Sequence, residues 1–301
     1  VQFNNANYQA SNDNAFLLAS GNRADLLVKA PAVADTYPVL VYNSVDPSDR
    51  DAAANPDALT LLNVKVEGTN ANMQFLSAAP DFPPYLTDIE PSKVQATRTL
   101  VFSSSPNPEQ KVPPGEAVPF ANPALHKIDG KLFDGEVGAA VVLNQVEEWK
   151  VVNETYPNSE GGGNRISHPF HIHINPFQVV EIFDPNATIP GTSLRQYLTS
   201  KPPDGSKQCF IDLNDETTWK PCDKVPRPSN IWWDVFSIPS GALFLNPGKG
   251  VKQVPGYFKL RSRFVDYAGY YVLHCHILAH EDRGMMTVVY VTPLQPPFSH
   301  H

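Results

Sequence analysis

The sequence predicts an all-β protein, and three observations predict it. Thirty prolines among 301 residues are too many for a helical chain, because each one removes an N–H and clashes with the preceding turn in a helix interior. An apolar repeat at helical spacing is hard to find in any long window. Short runs rich in Val, Ile, Tyr and Phe recur instead, with turn residues between them, the pattern of strands.

Taken in order, the runs are ADLLVKA (24–30), PVLVYNSV (38–45), LTLLNVKVEG (59–68), TRTLVFSS (97–104) and GAAVVLNQVEEWKVVNE (138–154). They continue with HIHINPFQVVEIF (171–183), WWDVFSI (232–238), GYFKLRSRFV (256–265), GYYVLHCHIL (269–278) and MMTVVYV (285–291). Their number and spacing suggest β-sandwiches or Greek-key barrels. HILAHED (276–282) reads as one helical turn or a loop. Residues 69–95 carry few strand signals and read as a connection between a short β unit at 1–68 and a complete one at 96–293. The tail at 294–301 ends in two histidines, most simply the start of a purification tag.

Hydrophobic content of 42% and charged content of 18% suit a chain with a buried core. A net charge of −8 argues against a nucleic-acid partner. No run of 18 apolar residues is present, so no membrane span is expected. VQFNNANYQA at the start has neither a basic nor an apolar region, so no signal peptide is expected within the chain. Cys209 and Cys222 bracket a polar, proline-bounded stretch and are expected to form a loop disulfide, which implies an oxidising compartment. Two unpaired thiols are the alternative.

The informative feature is the histidines. Six of nine fall in two clusters, HPFHIH (168–173) and HCHILAH (274–280). Side chains of a strand alternate between faces, so His274 and His276 share one side and Cys275 takes the other. His171 and His173 likewise share a face. Two separate sites follow. One collects Cys275 with His168, His280 and Met285; the other collects His171, His173, His274 and His276. A thiolate, two imidazoles and a weak thioether form the ligand set of a blue-copper centre. Zinc is the alternative, but thioether ligation and the lack of a CxxC pair favour copper. Met286 could take the axial place instead of Met285. Asp234 could support a ligand from behind, or be a plain strand-end carboxylate.

HPFHIH and HCHILAHEDRGM resemble the third and fourth copper motifs of the multicopper oxidases, the family of laccases, bilirubin oxidases and cuprous oxidases. GNRADLLVKAP (21–31) looks like a segment of that family's middle domain. HKIDGKLFDGEV (126–137) and VEEWKVVNE look like early strands of its last. The resemblance implies cupredoxin-like Greek-key β-sandwiches: a partial middle domain and a complete C-terminal one. It implies type 1 copper at His168, Cys275, His280 and Met285, type 2 copper at His171, and a type 3 pair at His173, His274 and His276. By the same resemblance Cys275, His280 and Glu281 are the catalytic residues. Cys275 relays electrons, a relatively exposed His280 takes them up from the donor, and Glu281 supplies protons. A loop carboxylate paired with Arg283 is the lesser alternative for Glu281. His126 matches no ligand of the family and reads as an ordinary surface or cleft histidine.

The pattern breaks in one place. By the resemblance, the family's trinuclear cluster takes eight histidines, four of them from HxHG and HxH motifs of the first domain, and outside its two clusters this chain has only His126, His300 and His301, which form no such motif. The expectation is therefore a C-terminal portion of a larger oxidase, with the N-terminal portion of the same oxidase as its partner, and inactive alone. The function implied is laccase-like oxidation of small aromatic reductants coupled to reduction of O2 to water, in a secreted or periplasmic protein. A blue-copper electron-transfer module and a cuprous oxidase are the alternatives. Copper nitrite reductase is a weaker one, because its Cys lacks the following His.

Overall fold

A computed structural model describes residues 18–23, 29–41, 59–69, 72, 74, 86–105, 125–157, 165–189, 192, 194–203, 205–222 and 231–293. The chain divides into one unit of Val1–Leu17 with Arg23–Tyr85 and a second of Leu18–Asn22 with Leu86–His301. In the first unit, TYPVLV forms β1 (Thr36–Val41) and LTLLNVK forms β2 (Leu59–Lys65), paired antiparallel with an irregularity between Val39 and Leu40. Val39, Leu61, Leu62 and Val64 stay exposed on this ribbon, since two strands alone cannot bury both faces.

The second unit is a sandwich. One sheet contains β3 (Ala96–Ser105), β4 (Leu125–Ile128), β6 (Val146–Asn153), β8 (Phe177–Phe183) and β14 (Gly256–Arg263), in the order β4-β3-β6-β14-β8. The other contains β5 (Val137–Val142), β7 (His168–Ile172), β11 (Val235–Ile238), β15 (Gly269–Cys275) and β16 (Met286–Thr292), in the order β11-β7-β15-β16-β5. The chain shuttles between the sheets, so most neighbours are distant in sequence. β3 with β6 and β16 with β5 pair in parallel; the remaining pairs in these sheets are antiparallel.

Alternation decides what fills the gap between the sheets. In VEEWKVVN, Glu147, Trp149 and Val151 turn inward. In GYYVLHC, Tyr271, Leu273 and Cys275 do the same. The shared core joins Leu100, Phe102, Trp149, Val151, Phe258 and Leu260 of the first sheet to Phe170, Ile172, Leu273, Cys275, Val289 and Val291 of the second. Phe170 lies at its centre, edge-on to Phe102, Phe177 and Phe258 at centroid distances of 6.0, 5.5 and 5.8 Å, the arrangement that aromatic quadrupoles favour. Glu147 is buried with the rest, and its Oε2 accepts from Trp149 Nε1 at 2.7 Å.

A second cluster (Phe183, Tyr197, Ile211, Trp219, Phe244, Tyr257) is built from the first sheet and from segments that follow it. These include β9 (Tyr197–Leu198), β10 (Cys209–Phe210) and the hairpin of β12 (Ala242–Asn246) with β13 (Gly250–Val254). Cys209 and Cys222 are disulfide-bonded beside this cluster, as expected.

Two of the long sequence runs each break into two strands. GAAVVLNQVEEWKVVNE turns at Asn144 (φ 67°), and HIHINPFQVVEIF turns at Ile174 (φ 65°). β4 falls at the start of HKIDGKLFDGEV, and β9, β10, β12 and β13 are additional to the expected strands. Most of ADLLVKA, most of the 69–95 connection and the 294–301 tail lie outside the described residues. Residues 86–90 are tied to the sandwich: Gln178 Oε1 accepts from Ile89 N at 2.7 Å, and Trp232 Nε1 donates to Leu86 O at 2.7 Å. HILAHED contains one helical turn, α1 (Leu278–Glu281).

Phe258→Ala should lower unfolding stability by about 3–5 kcal/mol, because it empties an aromatic junction. Leu61→Ala, on the exposed ribbon, should stay within about 0.5 kcal/mol. Urea midpoints measure both, and equal shifts would place the core elsewhere.

Candidate metal centre

β15 and β7 run antiparallel, with His274 opposite His171 and Cys275 opposite Phe170. The pleat therefore sends Cys275 into the sandwich, where it is fully buried, and His274 and His171 out through the opposite face. Beyond Cys275 the pairing continues for one bond, His276 N–H to Pro169 O at 2.8 Å. The chain then closes into α1, which swings His280 back under the sheet. Met285 N–H donates to His280 O, and Cys275 N–H donates to Met285 O, both at 3.0 Å. Gly284 makes this return possible. Its φ is 98°, and a Cβ there would meet Phe133 N at 3.1 Å.

Inside the sandwich, Cys275 Sγ lies 3.5 Å from His168 Nδ1 and 3.6 Å from His280 Nδ1, and the two Nδ1 atoms are 3.2 Å apart. A point equidistant from the three lies about 2 Å from each, a metal–imidazole bond length. Met285 is fully buried in the same core. The backs of the rings are also held. Thr155 Oγ1 is 2.8 Å from His168 Nε2; in the tautomer with the proton on Nε2 the hydroxyl accepts it and Nδ1 is free for a metal. Thr155 Oγ1 also accepts from Ser104 N at 3.0 Å.

Burial is the main electrostatic force here. It pushes the Cys275 thiol up to about 12, and it holds His168 well below the usual imidazole range. It lowers His280 to about 4, with help from neighbouring His126 and Arg283. Two neutral imidazoles are thereby ready as ligands, and the thiol ionises only when a cation offsets its lost hydration.

On the outer face, the ligand atoms of His171, His173 and His274 lie within 4.8 Å of one another. His173 Nε2 and His274 Nε2 are 3.3 Å apart. His171 Nδ1 donates to Asp234 O at 2.8 Å, which leaves Nε2 open; Asp234 thus supports the site through its backbone carbonyl. His274 Nδ1 lies 3.2 Å from both Glu281 Oε2 and Cys275 O, so its Nε2 is likewise open. His276 flanks the trio, its ring centroid 5.4 Å from His171 and 5.5 Å from His274. Behind His276 stands Gly21, in the left-handed region, where a Cβ would reach the ring at 2.7 Å.

His168, Cys275 and His280 thus form one group and His171, His173 and His274 another, on opposite faces of β15; His276 flanks the second, Glu281 touches His274, and Met285 is buried in the core that holds the first. His280, expected to be relatively exposed, is 9% exposed against 0% for His168, Cys275 and Met285, and His126, expected at the surface or in a cleft, is only 3% exposed. His126 belongs to the opposite sheet and packs flat against His280. Thr155, Ser104 and Gly21 also line the groups. No motif announces them, since a hydroxyl or a glycine gains its meaning here only from the fold.

A multicopper oxidase family model matches residues 103–242 and 245–295. A laccase of Bacillus stratosphericus is 23% identical over 272 residues, covering 90% of this chain and 42% of its own length. A laccase of Bacillus subtilis strain 168 is 22% identical over 290 residues, covering 93% and 43%. The chain spans less than half the length of these curated relatives. Among solved structures, the McoA multicopper oxidase of Aquifex aeolicus superposes with a TM-score of 0.46 at 16% identity, over 87% of this chain and 41% of that one.

Thr155→Val should weaken metal binding at the Cys275 group roughly 10–100-fold by freeing the His168 ring. Chelator competition with cobalt(II) reads it, and unchanged affinity would show that the Thr155 bond orients nothing.

Proposed function

The chain belongs to the multicopper oxidase family, and we propose that it supplies the electron-accepting copper site and half of the oxygen-reducing cluster of a laccase-type enzyme. One observation carries this reading. Cys275, His168 and His280 form a trigonal set with metal-bond spacing, and the residue before Cys275 belongs to a second histidine group on the other face of the same strand.

The donor chemistry fits copper. A buried thiolate and two imidazoles suit a soft, redox-active ion, and Met285 is the candidate weak axial ligand. We assign His171 to type 2 copper and His173, His274 and His276 to the type 3 pair. Bound copper supplies one-electron exchange with a phenolic or aromatic donor and the reduction of O2 to water.

The protein's own residues do the rest. His168 and His280 present free nitrogens from a site closed to water. Cys275 joins the inner group to His274 and His276 through covalent bonds alone. Glu281 holds a proton-accepting oxygen against His274 Nδ1 and can pass a proton toward the outer face. The remaining histidines of the cluster come, in this proposal, from an N-terminal portion of the same oxidase beyond these residues. Residues 1–68 are assigned to a middle cupredoxin domain, and 96–293 to the C-terminal one. An extracytoplasmic location is proposed from the Cys209–Cys222 bond; no described helix is long and apolar enough to cross a membrane.

Copper loading of the chain should give one intense thiolate-to-copper band, and Cys275→Ser should abolish it. A band that survives the substitution would move the site elsewhere. Met285→Leu should raise the reduction potential, because a thioether stabilises the oxidised metal more than an alkyl group does; a constant potential would remove Met285 from the ligand set. The chain by itself should show no oxygen uptake with phenolic donors, and robust turnover by the pure chain would overturn the shared-cluster proposal.

A further inference from the structure

His126 lies outside both ligand groups, yet it makes the closest ring contact in the inner one. Its imidazole stacks on His280 with centroids 3.9 Å apart and planes 17° from parallel. Aromatic pairs ordinarily sit about 4.5–7 Å apart, so the two rings are in full face contact. His126 comes from β4, at the edge of the sheet opposite the one that carries Cys275. Its Nδ1 is 2.8 Å from Ser104 Oγ on the neighbouring strand β3, with Ser104 opposite His126 in the register. The hydrogen bond holds one edge of the ring, so the ring cannot turn away from His280 without losing it.

Stacking also decides what His126 is not. A nitrogen lone pair lies in the plane of its ring. In a parallel stack on His280 it points alongside that ring, and Nδ1 is already engaged by Ser104. Among the described residues the inner metal-ligating group contains His168, Cys275 and His280, without His126.

We propose that His126 is a positioning residue that clamps the His280 imidazole in its metal-facing plane by π stacking and keeps water off its face. The proposal rests on the copper reading of the inner group for its redox consequence. For its structural consequence it rests only on that group binding a metal. Each ligand ring of the group is then fixed from behind by the sheet opposite: His168 by Thr155, which follows β6, and His280 by His126. A metal arriving there meets ligands already aimed, which raises affinity. A dry His280 face disfavours the more highly charged oxidised metal, which raises the potential.

Three variants of the copper- or cobalt-loaded chain separate this role from bland packing. His126→Phe keeps the stacking face but loses the hydrogen bond. His126→Leu fills the volume without an aromatic face. His126→Ala opens the face to water. Cobalt(II) affinity, read by chelator competition, should fall about 10-fold or more for Ala and Leu but stay near wild type for Phe. With copper, redox titration should show the potential moving down in Ala and holding in Phe. If Ala does not fold, Leu against Phe decides the matter alone.

Equal affinity in all three variants overturns the proposal. So does a Phe variant as weak as Ala, since the nitrogen and not the stack would then be at work. The copper reading fails separately. A wild-type chain that takes cobalt tightly but shows no thiolate-to-copper band sinks that reading, while the cobalt series still decides on His126.

Discussion

The pleat of one strand is the constraint on which everything else at the centre depends. β15 places consecutive residues on opposite faces, so Cys275 enters the core while His274 faces outward to meet His171. Had the strand slipped by a single residue, the thiol would lie among the outer histidines and an imidazole would be forced into the aromatic core. The register with β7 prevents this. Cys275 sits opposite Phe170, itself wedged against Phe102, Phe177 and Phe258. Core packing, whose usual product is stability, here sets the direction of a ligand.

Burial then acts twice. It supplies the sandwich with its apolar driving force. It also raises the Cys275 thiol to about 12 and favours the neutral imidazoles of His168 and His280. A thiol that resists ionisation by itself gains most from a cation placed beside it. The hydroxyl of Thr155 and the ring of His126 add what burial cannot, a fixed direction for each imidazole. The outer group is held by weaker means, such as the carbonyl of Asp234 and the carboxylate of Glu281. Ile174, a β-branched residue at φ 65°, directly follows His173. That conformation is costly for such a side chain, and it lies at the point where the chain must leave β7 and turn toward β8.

Much of this was legible in the sequence, because alternation is a local property. VEEWKVVN and GYYVLHC show their inward faces residue by residue, and HCH shows that its middle member must part from its neighbours. Tight ligand clusters carry their own spacing. The turns at Asn144 and Ile174 carry only weak marks, a lone Asn144 in one and Asn175-Pro176 just after the other, and so two strands read as one. The β12–β13 hairpin is marked in the sequence, where ALFL and VKQV flank the turn residues NPGKG. His126 was misjudged for a different reason. Nothing near it in the chain distinguishes it, and its partner His280 arrives from the other sheet through a one-turn helix. Contacts of that kind belong to the topology and have no signature along the chain.

The link between the two groups is covalent throughout. Cys275 and its two histidine neighbours are joined by bonds whose lengths thermal motion scarcely changes. The sandwich around them can breathe, its sheets can shift by fractions of an ångström, and the aromatic junction can loosen, without altering the number of bonds between the inner and outer faces. Change is left to act on the two ends, where hydroxyls, rings and carbonyls can be exchanged one at a time while the covalent link between the groups stays the same.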